Sequence, residues 1–394
     1  MNLSHSAKIT PPELFNVSAR ERLFKLLDQS VHPVIWISSP GGSGKSTLVA
    51  SWFDSLSKKK EASNHIWYSV DKGDTDKASF FYYMGLALKK AVPQFQKELP
   101  LLTSQYMNST ELFTRKYFEL LFEILADSVD SSQQNRSLTE TKDYSNTFIV
   151  LDNYQDVDPE STFHDMIVQG LASIRRGIRV IIISRNAPPP QYARLLANNI
   201  ITRINFDQIR FTINETKDFI RNNRKMDQNQ EGDKLAEQLN RINDGWAAGM
   251  VLMLNSSESD FKLFDMTKHE TIFNYFATEI FNESQKDIQA FLLQTSFFIS
   301  MTKDMAKSLT GFAHSEEILS DLYRNNYFCQ LHAGESRTYQ YHPLFQLFLM
   351  EKAVQTYSPA ELQIIRRNAA VILEKSGQTE QAARLFRREK SMKT

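Results

Sequence analysis

The chain has 394 residues, 41% of them hydrophobic and 23% charged, with 46 Lys plus Arg balanced by 46 Asp plus Glu. That is a globular composition with room for two to four domains of roughly 100–200 residues, and the zero net charge argues against a chain that works mainly by gripping nucleic acid. A single cysteine, Cys329, excludes an internal disulfide framework and a cysteine-rich metal site; with no apolar signal core from Met1 to Pro12 and no apolar run near the ~18–20 residues of a membrane span, the cytoplasm is the expected compartment and no membrane partner is expected.

In the first half, strands alternate with helices. Val34–Ser38 (VIWIS) predicts a strand, after which Leu48, Val49, Trp52, Phe53 and Leu56 share one helical face. Residues 65–70 (HIWYSV) read as a second strand and 77–92 as a helix, with Phe80, Met84, Leu88 and Val92 at spacing four. A long amphipathic helix is expected over 110–129, carrying Leu112, Leu120, Leu121, Ile124 and Leu125. Residues 130–146 are polar and read as a mobile surface loop. Strands are then expected at 148–151 (FIVL), 179–184 (RVIIIS) and 200–204. Runs this apolar suit strands buried on both faces of a parallel sheet, so residues 1–206 are expected to form a three-layer α/β domain.

Beyond residue 206 the pattern is helical. The stretch 212–222 opens on Thr212 with Glu215 three residues on, a capping-box signature. Helices are expected at 232–242 and 246–254, then four short ones between 272 and 325. In 327–342 (YFCQLHAGESRTYQYH) two alternating runs flank AGES, a hairpin signature; helices followed by a hairpin predict a winged helix. Pro343 opens another helix at its first position. Residues 362–389 hold two short helices joined near Ser376-Gly377, readable as the first unit of a helical repeat. The expected organisation is therefore an all-α domain at 207–270, a winged-helix domain at 271–357 and the start of a repeat array at 358–394.

Ser39-Pro40-Gly41-Gly42-Ser43-Gly44-Lys45-Ser46 falls between a predicted strand and a predicted helix, as a P-loop requires. Backbone N–H groups of such a loop wrap phosphates, and glycines let the backbone come close. The helix starting near Gly44 would point its positive end at the anion. Lys45 is expected to reach the β- and γ-phosphates of ATP, Ser46 to offer a hydroxyl to Mg²⁺, and Thr47 to bond the α-phosphate. Ser39 stands where the general pattern has glycine; Gly41 and Gly42 compensate. The competing explanation is a glycine-rich turn with a chance Gly-Lys-Ser.

Asp152 ends the apolar 148–151 run, where an acidic residue helps hold Mg²⁺ in P-loop proteins; the alternative is an ordinary strand-end Asp that starts a turn. The next position often carries the acid that activates water. Here it is Asn153, which cannot take a proton, and Asp156 and Glu160 are wrongly spaced for that role. Slow ATP hydrolysis at most is expected from this Lys45, Asp152 and Asn153 set. Arg185 follows the RVIIIS strand. Ligands bind beyond the carboxyl ends of parallel strands, so Arg185 is either a γ-phosphate sensor or a solvated strand-end Arg.

These motifs, taken in order, resemble the N-terminal part of the MalT family, large ATP-dependent LuxR-type activators within the STAND class of signal-transduction P-loop ATPases. The resemblance rests on VSARERL from Val17, SPGGSGKST from Ser39, WYSVDKGDTDKASFF from Trp67, IVLDNY from Ile149 and ISRN from Ile183. It continues through RFT from Arg210, GWAAG from Gly245 and YHPLF from Tyr341. It implies a nucleotide-binding domain, a helical domain and a winged helix, then a superhelical sensor arm. It implies a switch closed with ADP, which ATP and an inducer open to self-association. It places Val17 and Arg20 in the segment covering adenine. It makes His342 a candidate contact of the ADP β-phosphate, against the alternative that it caps the Pro343 helix. Trp246 sits where relatives line the base pocket, though a core Trp is the stronger reading. The inducer, a small molecule or a protein, would act through the arm, and DNA through a C-terminal domain outside this chain. Two features depart from the family: Asp152-Asn153 where Asp-Asp is frequent, and a longer polar loop before that strand.

Two other functions compete. A small-molecule phosphotransferase would need a substrate pocket and a lid, and half of this chain is helical appendage and hairpin. A winged-helix DNA-binding ATPase would show steeply salt-dependent DNA affinity, and the zero net charge argues against it.

Overall fold

The computed structural model describes residues 7–15, 17–59, 63–94, 97–133, 146–224, 230–255, 270–332 and 337–390. The chain forms two compact units, Met1–Ile209 and Arg210–Thr394.

The first unit follows α1 (Glu21–Asp28), β1 (Val34–Ser38), α2 (Lys45–Lys58), β2 (Ser63–Ser69), α3 (Lys77–Ala91), α4 (Thr110–Gln133), β3 (Asn146–Asp152), α5 (Thr162–Leu171), β4 (Ile178–Ser184), α6 (Ala193–Ala197), β5 (Ile201–Ile204) and α7 (Phe206–Ile209). All five strands are parallel, in the order β2-β3-β4-β1-β5. Parallel strands need helical crossovers, and these cover both faces. Alternate residues of each strand therefore enter different cores. Val34 and Trp36 pack with α3, α4 and α5 residues such as Phe80, Phe118 and Phe163, while Ile35 and Ile37 pack with Leu23, Phe24, Val49 and Trp52 of α1 and α2. Ile209 of α7 is fully buried in the second of these cores, so the chain leaves this unit after Ile209 rather than at 206.

Two expectations for the polar 130–146 stretch are corrected at its ends: α4 runs to Gln133, and Asn146 already pairs with Ser63 as the first residue of β3. The remainder of that expected loop lies outside the described residues. Leu112 is also not on the buried face of α4; it is 49% exposed, and Phe113, Tyr117 and Phe118 take the core positions.

The second unit begins with α8 (Ile213–Arg224), α9 (Gln230–Asn243) and α10 (Ala247–Asn255). Thr212 and Glu215 form the expected box: the Glu215 N–H donates to Thr212 Oγ1 at 3.3 Å and the Thr212 N–H to Glu215 Oε2 at 2.9 Å. Next come α11 (Glu270–Phe276), a π-turn at Ala277–Phe281, α12 (Lys286–Thr295), α13 (Lys303–Thr310), α14 (Ser315–Arg324) and the antiparallel pair β6 (Cys329–His332) and β7 (Thr338–Tyr341). Met301, between α12 and α13, adds a single bridge to Tyr339. Three helices, a one-residue first strand and a hairpin make a winged helix. The residues between β6 and β7, where AGES was expected to turn, lie outside the described residues. The chain closes with α15 (Pro343–Thr356), α16 (Pro359–Lys375) and α17 (Thr379–Lys390), the last two joined through Gly377 at φ +80°.

Candidate functional site

The sheet order places β4 between β1 and β3, so the three segments that leave their carboxyl ends are neighbours. These are the 39–44 loop after β1, Asp152 at the end of β3 and Arg185 after β4. Ser39 and Ser184 remain in contact beyond the ladder, the Ser39 N–H reaching the Ser184 carbonyl at 3.4 Å.

Within the loop, Gly42 and Gly44 have φ of +69° and +81°, a region where a side chain is strained. Ser43 Oγ closes the turn by donating to the Pro40 carbonyl at 2.6 Å. Gly44 is the cap residue of α2, and no side chain bonds into that cap. Lys45, the first residue of α2, folds back, and its ammonium donates to the Ser39 carbonyl at 2.6 Å and the Pro40 carbonyl at 3.0 Å. Burial, then the nearby Arg185, lower its pKa to about 7 against a smaller opposing pull from Asp152. Ser39 is fully buried and its hydroxyl has no protein partner.

Ser46 Oγ donates to Asp152 Oδ1 at 2.8 Å, joining the helix after the loop to the end of β3. The Asn153 N–H donates to the same oxygen at 2.9 Å. Burial raises the Asp152 pKa, opposed by these two hydrogen bonds and by Lys45. A hydroxyl beside a carboxylate is a hard oxygen pair of the kind Mg²⁺ takes. Asn153 itself has φ +58°, in the left-handed region that Asn tolerates better than most residues.

The residues therefore brought together are Ser39, Pro40, Gly41, Gly42, Ser43, Gly44, Lys45, Ser46, Thr47, Asp152, Asn153 and Arg185. Val17 and Arg20 lie in the same unit but differ in character. Val17 is exposed, whereas Arg20 is buried with its guanidinium bonded to the Ile209 carbonyl.

His342 and Trp246 belong to the second unit. The ring of His342 does not cap the Pro343 helix, which corrects one of the two readings of that residue: no side-chain bond is made at the cap. Instead, Nε2 lies 2.8 Å from the Asn243 carbonyl and is therefore the protonated nitrogen, while Nδ1 is buried without a protein partner. Burial lowers its pKa. Trp246 is fully buried against Phe276, Phe328 and Tyr275, a core residue.

Sequence reasoning missed what surrounds the site. Tyr154 is buried edge-on to Trp36, its hydroxyl 2.6 Å from that of Tyr192 and 3.1 Å from His164 Nδ1. Gln155 Oε1 accepts from the Arg185 N–H at 2.9 Å. These side chains carry no recognisable spacing, because they meet only through the sheet order.

Comparison with known proteins agrees with this architecture. Residues 277–361 match the family model described as the MalT winged helix domain, and residues 19–185 match the one described as Nephrocystin 3, N-terminal. The chain is 26% identical over 378 residues to the HTH-type transcriptional regulator MalT of Vibrio parahaemolyticus, covering 93% of this chain and 38% of that protein. The chain is thus similar to MalT over 93% of its own length. The regulator of the same description from Cronobacter sakazakii is 26% identical over 373 residues, 91% of this chain and again 38% of its own length. The MalT-like region thus spans well under half of these relatives. Among solved structures, the Walker-type ATPase of Pyrococcus abyssi aligns over 88% of this chain and 99% of its own at a TM-score of 0.53 and 11% identity, a likeness of fold. The first unit has the P-loop ATPase fold, and the second contains the MalT-type winged helix.

Proposed function

We propose that this chain is the nucleotide-binding switch core of a MalT-like transcriptional regulator, holding ATP or ADP with Mg²⁺ at the 39–47 loop. The observation that carries the reading is the Ser46 Oγ to Asp152 Oδ1 bond at 2.8 Å beside a buried Lys45. Ser46 and Asp152 are the groups that would hold Mg²⁺, whose charge would offset that of the phosphates. The N–H groups of the loop and of the start of α2 would take the phosphate oxygens. Lys45 would exchange two loop carbonyls for the β- and γ-phosphates, and Thr47 would face the α-phosphate. Arg185, at the central strand end, would sense the γ-phosphate, while Val17 and Arg20 would border the adenine.

Turnover at such a site is slow. The position after Asp152 is Asn153, and a carboxamide cannot take the proton of an attacking water. A switch needs only that its two states bind ATP and ADP differently. Residues 1–206 would sense the nucleotide; 207–270, 271–357 and the 358–394 start of a sensor arm would convert that into opening and self-association. Inducer recognition and DNA binding fall to the portions of the MalT relatives that this chain does not span.

The test is Lys45→Ala with ADP binding followed by calorimetry. Loss of binding by at least about 100-fold is expected, the scale of removing a charge-assisted contact of about 3 kcal/mol. Micromolar ADP affinity retained in the variant would remove the assignment.

A further inference from the structure

We propose that Gln155 is a positioning residue that ties the metal-side strand end to Arg185, so that this site tells ATP from ADP; the proposal rests on the nucleotide reading above.

The argument begins with the ladder. On the β3 side, β4 is paired only as far as Leu151 with Ile182, whereas on the β1 side pairing continues to Ser38 with Ser184. The Ser184 carbonyl points toward β1, where it accepts from Ser39. The Ser184 carbonyl and the Arg185 N–H belong to one trans peptide group and point to opposite sides of the strand, so the Arg185 N–H points toward β3. It finds no strand there, because β3 ends at Asp152 and the left-handed Asn153 turns the chain out of the sheet. A backbone N–H at a part-buried strand end needs an acceptor. Gln155 supplies it: its Oε1 accepts from the Arg185 N–H at 2.9 Å, while its Nε2 donates to Asp156 Oδ1 at 2.9 Å. The carboxamide replaces the missing rung of the ladder.

Both sides of this link are held by further contacts. Tyr154, one residue earlier, is wedged against Trp36 and bonded to Tyr192 and His164. One residue beyond Arg185, the Asn186 carbonyl accepts from the Trp36 indole at 2.9 Å, and the Asn186 N–H donates to Ser184 Oγ at 3.0 Å. The turn that follows the metal-side carboxylate therefore fixes the backbone from which the arginine extends. A guanidinium that must meet a γ-phosphate oxygen at hydrogen-bond distance gains from a fixed backbone, because a small misplacement of a charged contact costs most of its value. ADP has no γ-phosphate and loses nothing.

The measurement is the affinity of the full chain for Mg²⁺-ADP and for a Mg²⁺-bound non-hydrolysable ATP analogue, in the wild type, Gln155→Ala, Gln155→Glu and Arg185→Ala. Gln155→Ala should weaken the ATP analogue by about fivefold or more, the low end of coupling between sites, and leave ADP affinity within about twofold. Gln155→Glu keeps the acceptor for the Arg185 N–H but loses the donor to Asp156 and faces its carboxylate, so it should recover only part of the loss. The double variant Gln155→Ala/Arg185→Ala should lose no more than Arg185→Ala alone. An equal fall for both nucleotides, or an unchanged ratio in Gln155→Ala where Arg185→Ala changes it, would overturn the proposal. An unchanged ratio in Arg185→Ala would overturn it too while leaving the nucleotide site intact; a wild type that binds neither nucleotide removes both.

Discussion

At the residue scale, Lys45 carries a testable consequence of its burial. Its pKa of about 7, against 10.5 for an ordinary lysine, comes mainly from desolvation and the neighbouring Arg185. At pH 8 most of the population is then neutral, and a bound polyphosphate would recharge it. Nucleotide binding should therefore take up close to one proton per site at pH 8 and little through this group at pH 6. Calorimetry in buffers of differing ionisation enthalpy reads that number, and zero uptake at pH 8 would contradict it. The sign for folding follows from the same shift: between pH 7 and 10.5 the unfolded chain holds more protons at this lysine, so this group makes the protein more stable as pH rises through that window. Asn153 gives a second test. Aspartate also tolerates the left-handed region, so Asn153→Asp should fold normally and raise ATP turnover; unchanged turnover would mean that the water is positioned elsewhere. Lys45, Ser46, Asp152 and Arg185 were legible in the sequence because each follows a strand or opens a helix at a spacing the chemistry fixes. Gln155 was not, since its partner is thirty residues away, beyond the end of the neighbouring strand.

At the scale of elements, glycine explains the GWAAG stretch without a ligand. Gly245 has φ +71°, and an added Cβ would lie 2.5 Å from the Phe211 carbonyl oxygen. Gly249 lies within α10, where alanine would ordinarily stabilise a helix by roughly 1 kcal/mol. Here a Cβ would overlap the Asn243 carboxamide and come within 2.6 Å of the Trp246 ring. Gly249→Ala should thus destabilise by about 1–3 kcal/mol in urea unfolding, the cost of overpacking; a gain would show that the α9–α10 packing is looser than described. Thr212→Ala removes the box at the start of α8 and should cost about 1 kcal/mol, read the same way. Caps, amphipathic faces and the hairpin were legible because they are local. The Met301 bridge to Tyr339 and the extension of α4 to Gln133 were not: the first is a single long-range pair, and the second is a polar helical turn without an apolar face.

At the scale of the molecule, the parallel order β2-β3-β4-β1-β5 turns three separate sequence motifs into one site. Alternation of apolar strands and amphipathic helices made the α/β class readable; the order of the strands was not, because crossover direction leaves no local pattern. The second unit supplies a winged helix whose match at 277–361 connects the chain to MalT-type regulators. The switch proposed above would rest with nucleotide bound, and the most direct test is to denature the purified protein and identify what it releases by chromatography. The account predicts about one ADP per chain, absent from Lys45→Ala. A protein that releases no nucleotide and fails to take up added Mg²⁺-ADP would contradict it.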